Sequence, residues 1–189
     1  MKDENKFLNK YYKEFISLIN PKFHKQTINL KKEILKIKKN KKKIIVAGNG
    51  GSAAMSSHFS VDLTKNAKVR CINFNEADLI TCFSNDYGYE RWVENGIKYY
   101  CDKGDLLILI SSSGRSKNMI NAAKYFKRKK FGKLVTFTGH SKNNELKKTG
   151  HVNFWVDSKA YNLIENVHQF ILLSIVDLII GKSDYSAQR

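Results

Sequence analysis

The sequence predicts an α/β fold built on a parallel sheet, and three observations carry that prediction. From Lys43 onward, apolar runs of strand length alternate with helix-length amphipathic segments, the pattern of strands joined by helical crossovers. Leu106 to Ile110 is apolar without interruption, as a strand buried on both faces requires. Two of the runs also end in small polar turns that lead straight into helices, at Gly48 to Ser52 and at Ser111 to Ser116. Such turns lie at the carboxyl ends of parallel strands, where sheets of this kind bind ligands. With 189 residues and 42% hydrophobic composition, the chain can bury one sizeable core, and no linker or repeat divides it.

In chain order, residues 1–19 carry Phe7, Leu8, Tyr11, Tyr12, Phe15, Ile16 and Ile19 at helical spacing, and Pro21, the sole proline, marks a boundary. A second helix follows from Gln26 to Lys39, with lysines opposite its apolar stripe. We assign residues 1–40 to two N-terminal helices of the same domain, 41–183 to the core and 184–189 to a tail. The helices are expected to cover the core and to lend their stripes to an oligomer interface.

The core opens with the strand Ile44 to Ala47, which gives way to Gly48, Asn49, Gly50, Gly51 and Ser52 and then to a helix carrying His58 and Asp62. Glycines let backbone N–H groups at a helix start approach an anion closely, and the helix dipole favours negative charge there, so phosphate is the natural guest. One turn apart, His58 and Asp62 share a face, as an acid/base pair or a metal site would. Val69 to Phe74 reads as a second strand, and Asn75 to Asp78 as the start of a further helix. Ser84 to Glu90 reads as a polar, aromatic loop, either lining a sugar site or capping the next helix through Asn85 or Asp86. After Leu106 to Ile110, the hydroxyls of Ser111, Ser112, Ser113 and Ser116 and the free N–H groups of the helix from Asn118 make an uncharged phosphate cradle, to which Arg115 adds charge. Leu134 to Thr138 and Val152 to Val156 complete the strands, with helices near Asn143 to Lys148 and from Tyr161 to Ile180. Three residues apart on the last helix, Glu165 and His168 form either a structural hydrogen-bonded pair or part of the site, according to what they face.

A formal net charge of +17, from 34 Lys and Arg against 17 Asp and Glu, admits nucleic acid, an acidic partner or anionic metabolites. Most of the excess is lysine on solvated faces, and no nucleic-acid fold signature accompanies it, which disfavours nucleic acid. Cys71, Cys82 and Cys101 read as reduced core residues. Neither a signal-type opening nor an apolar run approaching a membrane span is recognised, so a cytoplasmic protein with no membrane role is expected.

Together, AGNGGSAAMSSHFSVDL, SNDYGYE, GDLLILISSSGRSKN and IENVH, in this order, resemble the sugar-isomerase (SIS) domain family and within it the phosphoheptose isomerases. The resemblance runs from about Lys43 to Ile180. It implies a single SIS domain with a five-stranded parallel sheet flanked by helices, and a homotetramer with sites at subunit interfaces. It further implies conversion of sedoheptulose 7-phosphate into glycero-manno-heptose 7-phosphate for surface polysaccharide such as lipopolysaccharide or capsule. Carried over by position, Asn49, Gly50, Gly51 and Ser52 fall on the substrate-contacting turn, Asn85 and Asp86 on the sugar-contacting pair, and Ser111, Ser112, Ser113 and Ser116 on the phosphate cradle. His58 falls on the first zinc ligand of metal-bearing members, which makes His58, Asp62 and Glu165 the expected set for Zn2+ or another divalent ion, with no organic cofactor.

Three positions depart from the family pattern. Asp62 stands where the family has a glutamate, Glu165 where it has a glutamine, and Leu173 where it has its second catalytic histidine. Isomerisation through an enediol needs a base beside the carbonyl and an acid or metal to stabilise the developing oxyanion. Leucine supplies neither, so Asp62, Glu165 and His168 are the expected catalytic groups. The alternative is a family member that keeps the phosphosugar pocket and serves as a non-catalytic binding or protein-interaction module.

Overall fold

The structure is a computed structural model and describes residues 2–19 and 21–184. Beyond Asp184, the expected tail lies outside the described residues. Strands β1 (Ile44–Gly48), β2 (Cys71–Asn73), β3 (Leu106–Ser111), β4 (Lys133–Thr138) and β5 (Val152–Trp155) form one sheet in the order β2-β1-β3-β4-β5. Every pairing is parallel, with Ile44 opposite both Cys71 and Leu106, Leu106 opposite Lys133 and Val135 opposite Val152. From β1 the chain winds outward to β2, and from β3 it winds the other way through β4 to β5. The strand order therefore reverses between β1 and β3, and a crevice opens beyond their carboxyl ends.

Helices α1 (Lys2–Leu18), α2 (His24–Lys39), α3 (Gly51–Lys65), α4 (Ala77–Tyr87), α5 (Trp92–Tyr100), α6 (Lys117–Arg128), α7 (Glu145–Thr149) and α8 (Tyr161–Ile180) surround the sheet. Alternation along each strand sends successive side chains to opposite faces. Ile44, Val46, Ile108 and Phe137 meet Leu30 and Ile34 of α2, Phe59 and Leu63 of α3 and Val167 and Ile171 of α8. On the other face, Ile45, Ala47, Leu107 and Leu109 meet Val93 and Ile97 of α5, Met119, Ala123 and Phe126 of α6 and Leu146 of α7.

Beneath the sheet, the buried carboxylate of Asp105 accepts from Lys43 N at 3.0 Å and Asp102 N at 2.8 Å, and meets Lys43 Nζ at 2.7 Å. This pairing ties the starts of β1 and β3 together and fixes the register that brings their far ends side by side.

Several expectations need correction. The second strand is shorter than Val69 to Phe74, because Lys68 turns left-handed (φ 56) and Val69 N donates back to Leu63 O, which docks Val69 on α3. Residues Ser84 to Tyr87 are not loop but the last turn of α4, held by packing of Phe83 on Tyr87 and Tyr99; Gly88 (φ 80) then stops the helix. Arg91, not Asn85 or Asp86, occupies the cap position of α5, and no side chain caps it. Cys71 and Cys101 are buried free thiols, as expected, but Cys82 is exposed. Finally, α8 is long and apolar enough to cross a membrane by length and composition. Here its apolar side, including Leu163, Val167, Ile171 and Ile175, is buried in the core, so the helix serves as a core element of the domain.

Candidate functional site

The glycine turn is built for close backbone approach. A Cβ on Gly48 would overlap the backbone and Cβ of Ser52, so β1 can turn into α3 this tightly only with glycine there. Gly50 caps α3 at φ 54 and ψ −124, a conformation that favours glycine, and a Cβ on Gly51 would collide with the carboxylate of Glu165. The Glu165 side chain thus crosses from α8 to lie against the head of α3, and Ser112 Oγ lies 3.5 Å from its Oε1. One carboxylate therefore touches both turns at the reversal point.

The two turns are also joined directly. Asn49 and Asn118 exchange amide hydrogen bonds, Nδ2 of Asn49 to Oδ1 of Asn118 at 3.1 Å and the reverse at 2.8 Å. Tyr89 OH donates to Asn49 Oδ1 at 3.3 Å from the turn between α4 and α5. That turn is held to α6 by Lys117 Nζ to Glu90 Oε1 at 2.8 Å and Asn121 Nδ2 to Glu90 O at 2.9 Å. On the β3 side, Ser111 and Ser116 hydroxyls meet at 3.0 Å, and Arg115 N donates to Ser113 Oγ at 3.2 Å. Three of the four serines surround the start of α6, while Ser112 turns toward Glu165. Ser52 is buried against Gly48, and Asn85 and Asp86 are exposed and bond to each other at 3.0 Å. From the α4–α5 segment it is Tyr89 that reaches the glycine turn.

A second part of the site lies further along α3. His58 Nε2 is 3.4 Å from Asp62 Oδ2, Asp62 Oδ1 accepts from Asn66 Nδ2 at 3.3 Å, and Gln169 Nε2 approaches His58 Nδ1 at 3.5 Å. His58 is seven residues beyond Gly51, about 10 Å up the helix axis. Glu165, Gln169 and Leu173 follow one another at single-turn intervals on α8, so the stripe that starts at the crevice continues toward this pair.

His168 does not join either part, which corrects its placement in the site. It is fully buried, packs edge-on against Phe137 at 5.5 Å and donates through Nε2 to Thr138 O at 3.1 Å, since a carbonyl can only accept. Its Nδ1 is buried without a partner, and burial lowers its pKa to about 4, with the bond to Thr138 opposing that shift. It is a neutral core histidine at neutral pH.

The expected metal set is likewise not assembled. Glu165 is engaged at the head of α3 while His58 and Asp62 lie two turns on, and among the described residues no three His, Cys, Asp or Glu side chains converge. Within one chain these donors do not fit a closed metal centre.

Asn118, Tyr89 and Gln169 were not picked out as site residues from the sequence. Gln169 falls one turn after Glu165, so spacing alone could have flagged it, whereas Asn118 stands out only through its bonds to Asn49, 69 positions away. Nothing local marks Tyr89.

A family model described as the SIS domain matches residues 10–139. The phosphoheptose isomerase of Aliarcobacter butzleri is 36% identical over 149 residues, covering 75% of this chain and 77% of that protein. That of Helicobacter pylori is 32% identical over 162 residues, covering 82% and 81%. In structure, the chain resembles a phosphoheptose isomerase from Neisseria gonorrhoeae with a TM-score of 0.85 at 24% identity, covering 94% of this chain and 98% of that one. Another from Francisella tularensis gives 0.84 at 21% identity, covering 96% and 98%.

Proposed function

The chain belongs to the SIS domain family, in its phosphoheptose isomerase branch, and from that premise we propose that it is a phosphosugar isomerase acting on sedoheptulose 7-phosphate or a closely related ketose phosphate. The observation that carries this reading is the joining of the glycine turn and the serine loop across the strand reversal through Asn49 and Asn118. A phosphate on the serine loop, met by the N–H groups at the head of α6, leaves the sugar chain lying over Asn49, Gly50 and Gly51.

The reacting carbons of such a sugar lie at the end opposite the phosphate. Glu165 sits against the serine loop, which suits it to the hydroxyls near the phosphate, whereas His58 and Asp62, about 10 and 16 Å along α3 from Gly51, suit the carbonyl end. Asp62 removes the proton from the carbon beside the carbonyl while His58, oriented by Gln169, meets the carbonyl oxygen as it becomes negative. The proton of the neighbouring hydroxyl passes through His58 to that oxygen, and Asp62 returns the first proton to the former carbonyl carbon, which leaves an aldehyde where the hydroxyl was. Leu173 continues the same stripe as an apolar wall. The product is an aldose phosphate suited to heptose precursors of surface polysaccharide.

His58 is half exposed in a single chain, and Val61 and Phe170, each adjacent in sequence to a site residue, are exposed apolar side chains. On α1, Phe7, Leu8, Tyr12 and Ile16 are exposed too, while Phe15 and Leu18, with Ile19 just after the helix, pack on the core. A homotetramer that covers these surfaces excludes water from the Asp62 end of the site, and the cytoplasm is its place of action.

Incubation of the purified protein with sedoheptulose 7-phosphate, followed by NMR, tests the reading. Turnover lost in Asp62→Asn with sugar-phosphate binding retained is expected. Thermal stabilisation by the sugar phosphate without any turnover would overturn the isomerase assignment in favour of a binding module.

A further inference from the structure

Beyond the serine loop, on the side away from the glycine turn, lies a cavity of about 640 Å³ lined by Ser113, Arg115, His140, Ser141, Lys159 and Tyr161. That volume is in the range of small-molecule sites, roughly 300–1,000 Å³. Its walls come from the loops after β3, β4 and β5, and backbone hydrogen bonds fasten these loops to one another. Gly139 N donates to Ser112 O at 2.8 Å, His140 N to Ser158 O at 2.8 Å and Leu146 N to Gly114 O at 3.1 Å. Gly114, at φ 65, leaves no room for a Cβ beside the Asn144 side chain, so the serine loop is seated directly on the loop that follows β4. The cavity is thus a built feature of the strand ends.

Its chemistry is one-sided. Arg115 and Lys159 are exposed, neither has an acidic partner among the described residues, and no carboxylate is among the lining residues. Ser113 and Ser141 add hydroxyls, and the His140 ring lies against Tyr161 at 4.7 Å, with Nε2 of His140 shielded and unpaired. Two unpaired cations around hydroxyls, with no acid present, select an anion. Ser113 and Arg115 belong to the serine loop as well, so an anion here is contiguous with one bound at the head of α6.

We propose that this cavity is a second anion subsite, which takes the further phosphate of a diphosphate-linked sugar whose first phosphate lies on the serine loop. The proposal rests on the phosphosugar reading of that loop and widens its ligand class from monophosphates to diphosphates. The exposed face of Tyr161 lies beyond the second phosphate, where the nucleoside of a nucleoside-diphosphate sugar would stack; a sugar carrying a bare diphosphate would leave it free.

Calorimetric titration of the intact protein with inorganic phosphate, pyrophosphate, sedoheptulose 7-phosphate and GDP-mannose tests this. Pyrophosphate is expected to bind about tenfold more tightly than phosphate, one extra charge-assisted contact being worth that much. Lys159→Gln should weaken pyrophosphate and GDP-mannose by a similar factor and leave sedoheptulose 7-phosphate unchanged. Tyr161→Ala separates the two sources: a loss confined to GDP-mannose assigns a nucleoside, and unchanged affinities assign a bare sugar diphosphate. Pyrophosphate no tighter than phosphate, or insensitive to Lys159→Gln, would overturn the subsite. Failure of sedoheptulose 7-phosphate to bind would instead overturn the functional reading of the serine loop.

Discussion

Replacing His168 separates a core histidine from a catalytic one, and the buried imidazole sets the size of the effect. In the folded chain Nε2–H is committed to Thr138 O and Nδ1 faces apolar surroundings with no acceptor, so a second proton is strongly disfavoured and the pKa falls from 6.5 to about 4. The unfolded chain takes up that proton as the pH drops through the ordinary value near 6.5, whereas the folded chain does so only near 4. Across this window the unfolded state binds more protons, so stability falls as the pH falls, by about 3 kcal/mol in all. Urea unfolding of the wild type and of His168→Gln at several pH values from 7 to 4 measures it, and the difference between the two curves isolates this residue from His151 and the carboxylates. Gln can still donate to Thr138 O and does not titrate, so the variant should lose the His168 share of the pH dependence. It should also retain turnover of sedoheptulose 7-phosphate. Equal pH slopes in the two proteins, or a folded His168→Gln protein without activity, would refute the core assignment.

Other substitutions test the crevice and its support. Gly51→Ala pushes the flexible Glu165 carboxylate off the head of α3 and should weaken sedoheptulose 7-phosphate binding by calorimetry, with unfolding stability changed by less than about 1 kcal/mol. Asn118→Ala removes both amide bonds to Asn49, and a KM for the sugar phosphate raised about tenfold is expected, with secondary structure by circular dichroism unchanged. Asp105→Ala leaves two backbone N–H groups without their acceptor and the Lys43 ammonium with Asp102 as its one remaining ion-pair partner, far from the crevice. Destabilisation of about 2–4 kcal/mol in denaturant unfolding should follow, with KM unchanged in the fraction that remains folded.

The fold was legible because it rests on pattern. Five apolar runs alternating with helical stripes correspond to β1 to β5, and the uninterrupted run Leu106 to Ile110 is indeed the central strand, hydrogen-bonded on both sides. The two turns were legible for the same reason, since a Cβ at Gly48 would meet the backbone of Ser52 and the serines begin a helix. What the pattern did not carry was long-range contact. Asn118 matters through a partner 69 positions away, and Tyr89 through one 40 positions away, distances over which no local spacing speaks. The loop expected at Ser84 to Tyr87 is helix because Phe83, Tyr87 and Tyr99 pack together, a tertiary contact that outweighs the turn-forming look of Ser-Asn-Asp.

Helix α8 shows how fine that limit is. Glu165 and His168 are three residues apart, which in sequence reads as one face, yet three residues of helix leave directions about 60° apart. Here that angle spans the edge between core and crevice. His168 continues the buried line with Ile164 and Ile171, whereas Glu165 begins the stripe that runs through Gln169 to Leu173. A spacing of four keeps residues in line better than a spacing of three, so Gln169, not His168, shares the direction of Glu165. The three residues therefore lie along one stripe: a carboxylate against the serine loop, an amide against His58 and a leucine beyond. With Leu173 unable to carry a proton, any proton transfer at the carbonyl end falls to groups on α3. On the proposed mechanism this leaves the His58–Asp62 pair as the place to test for isomerase activity, by turnover in Asp62→Asn.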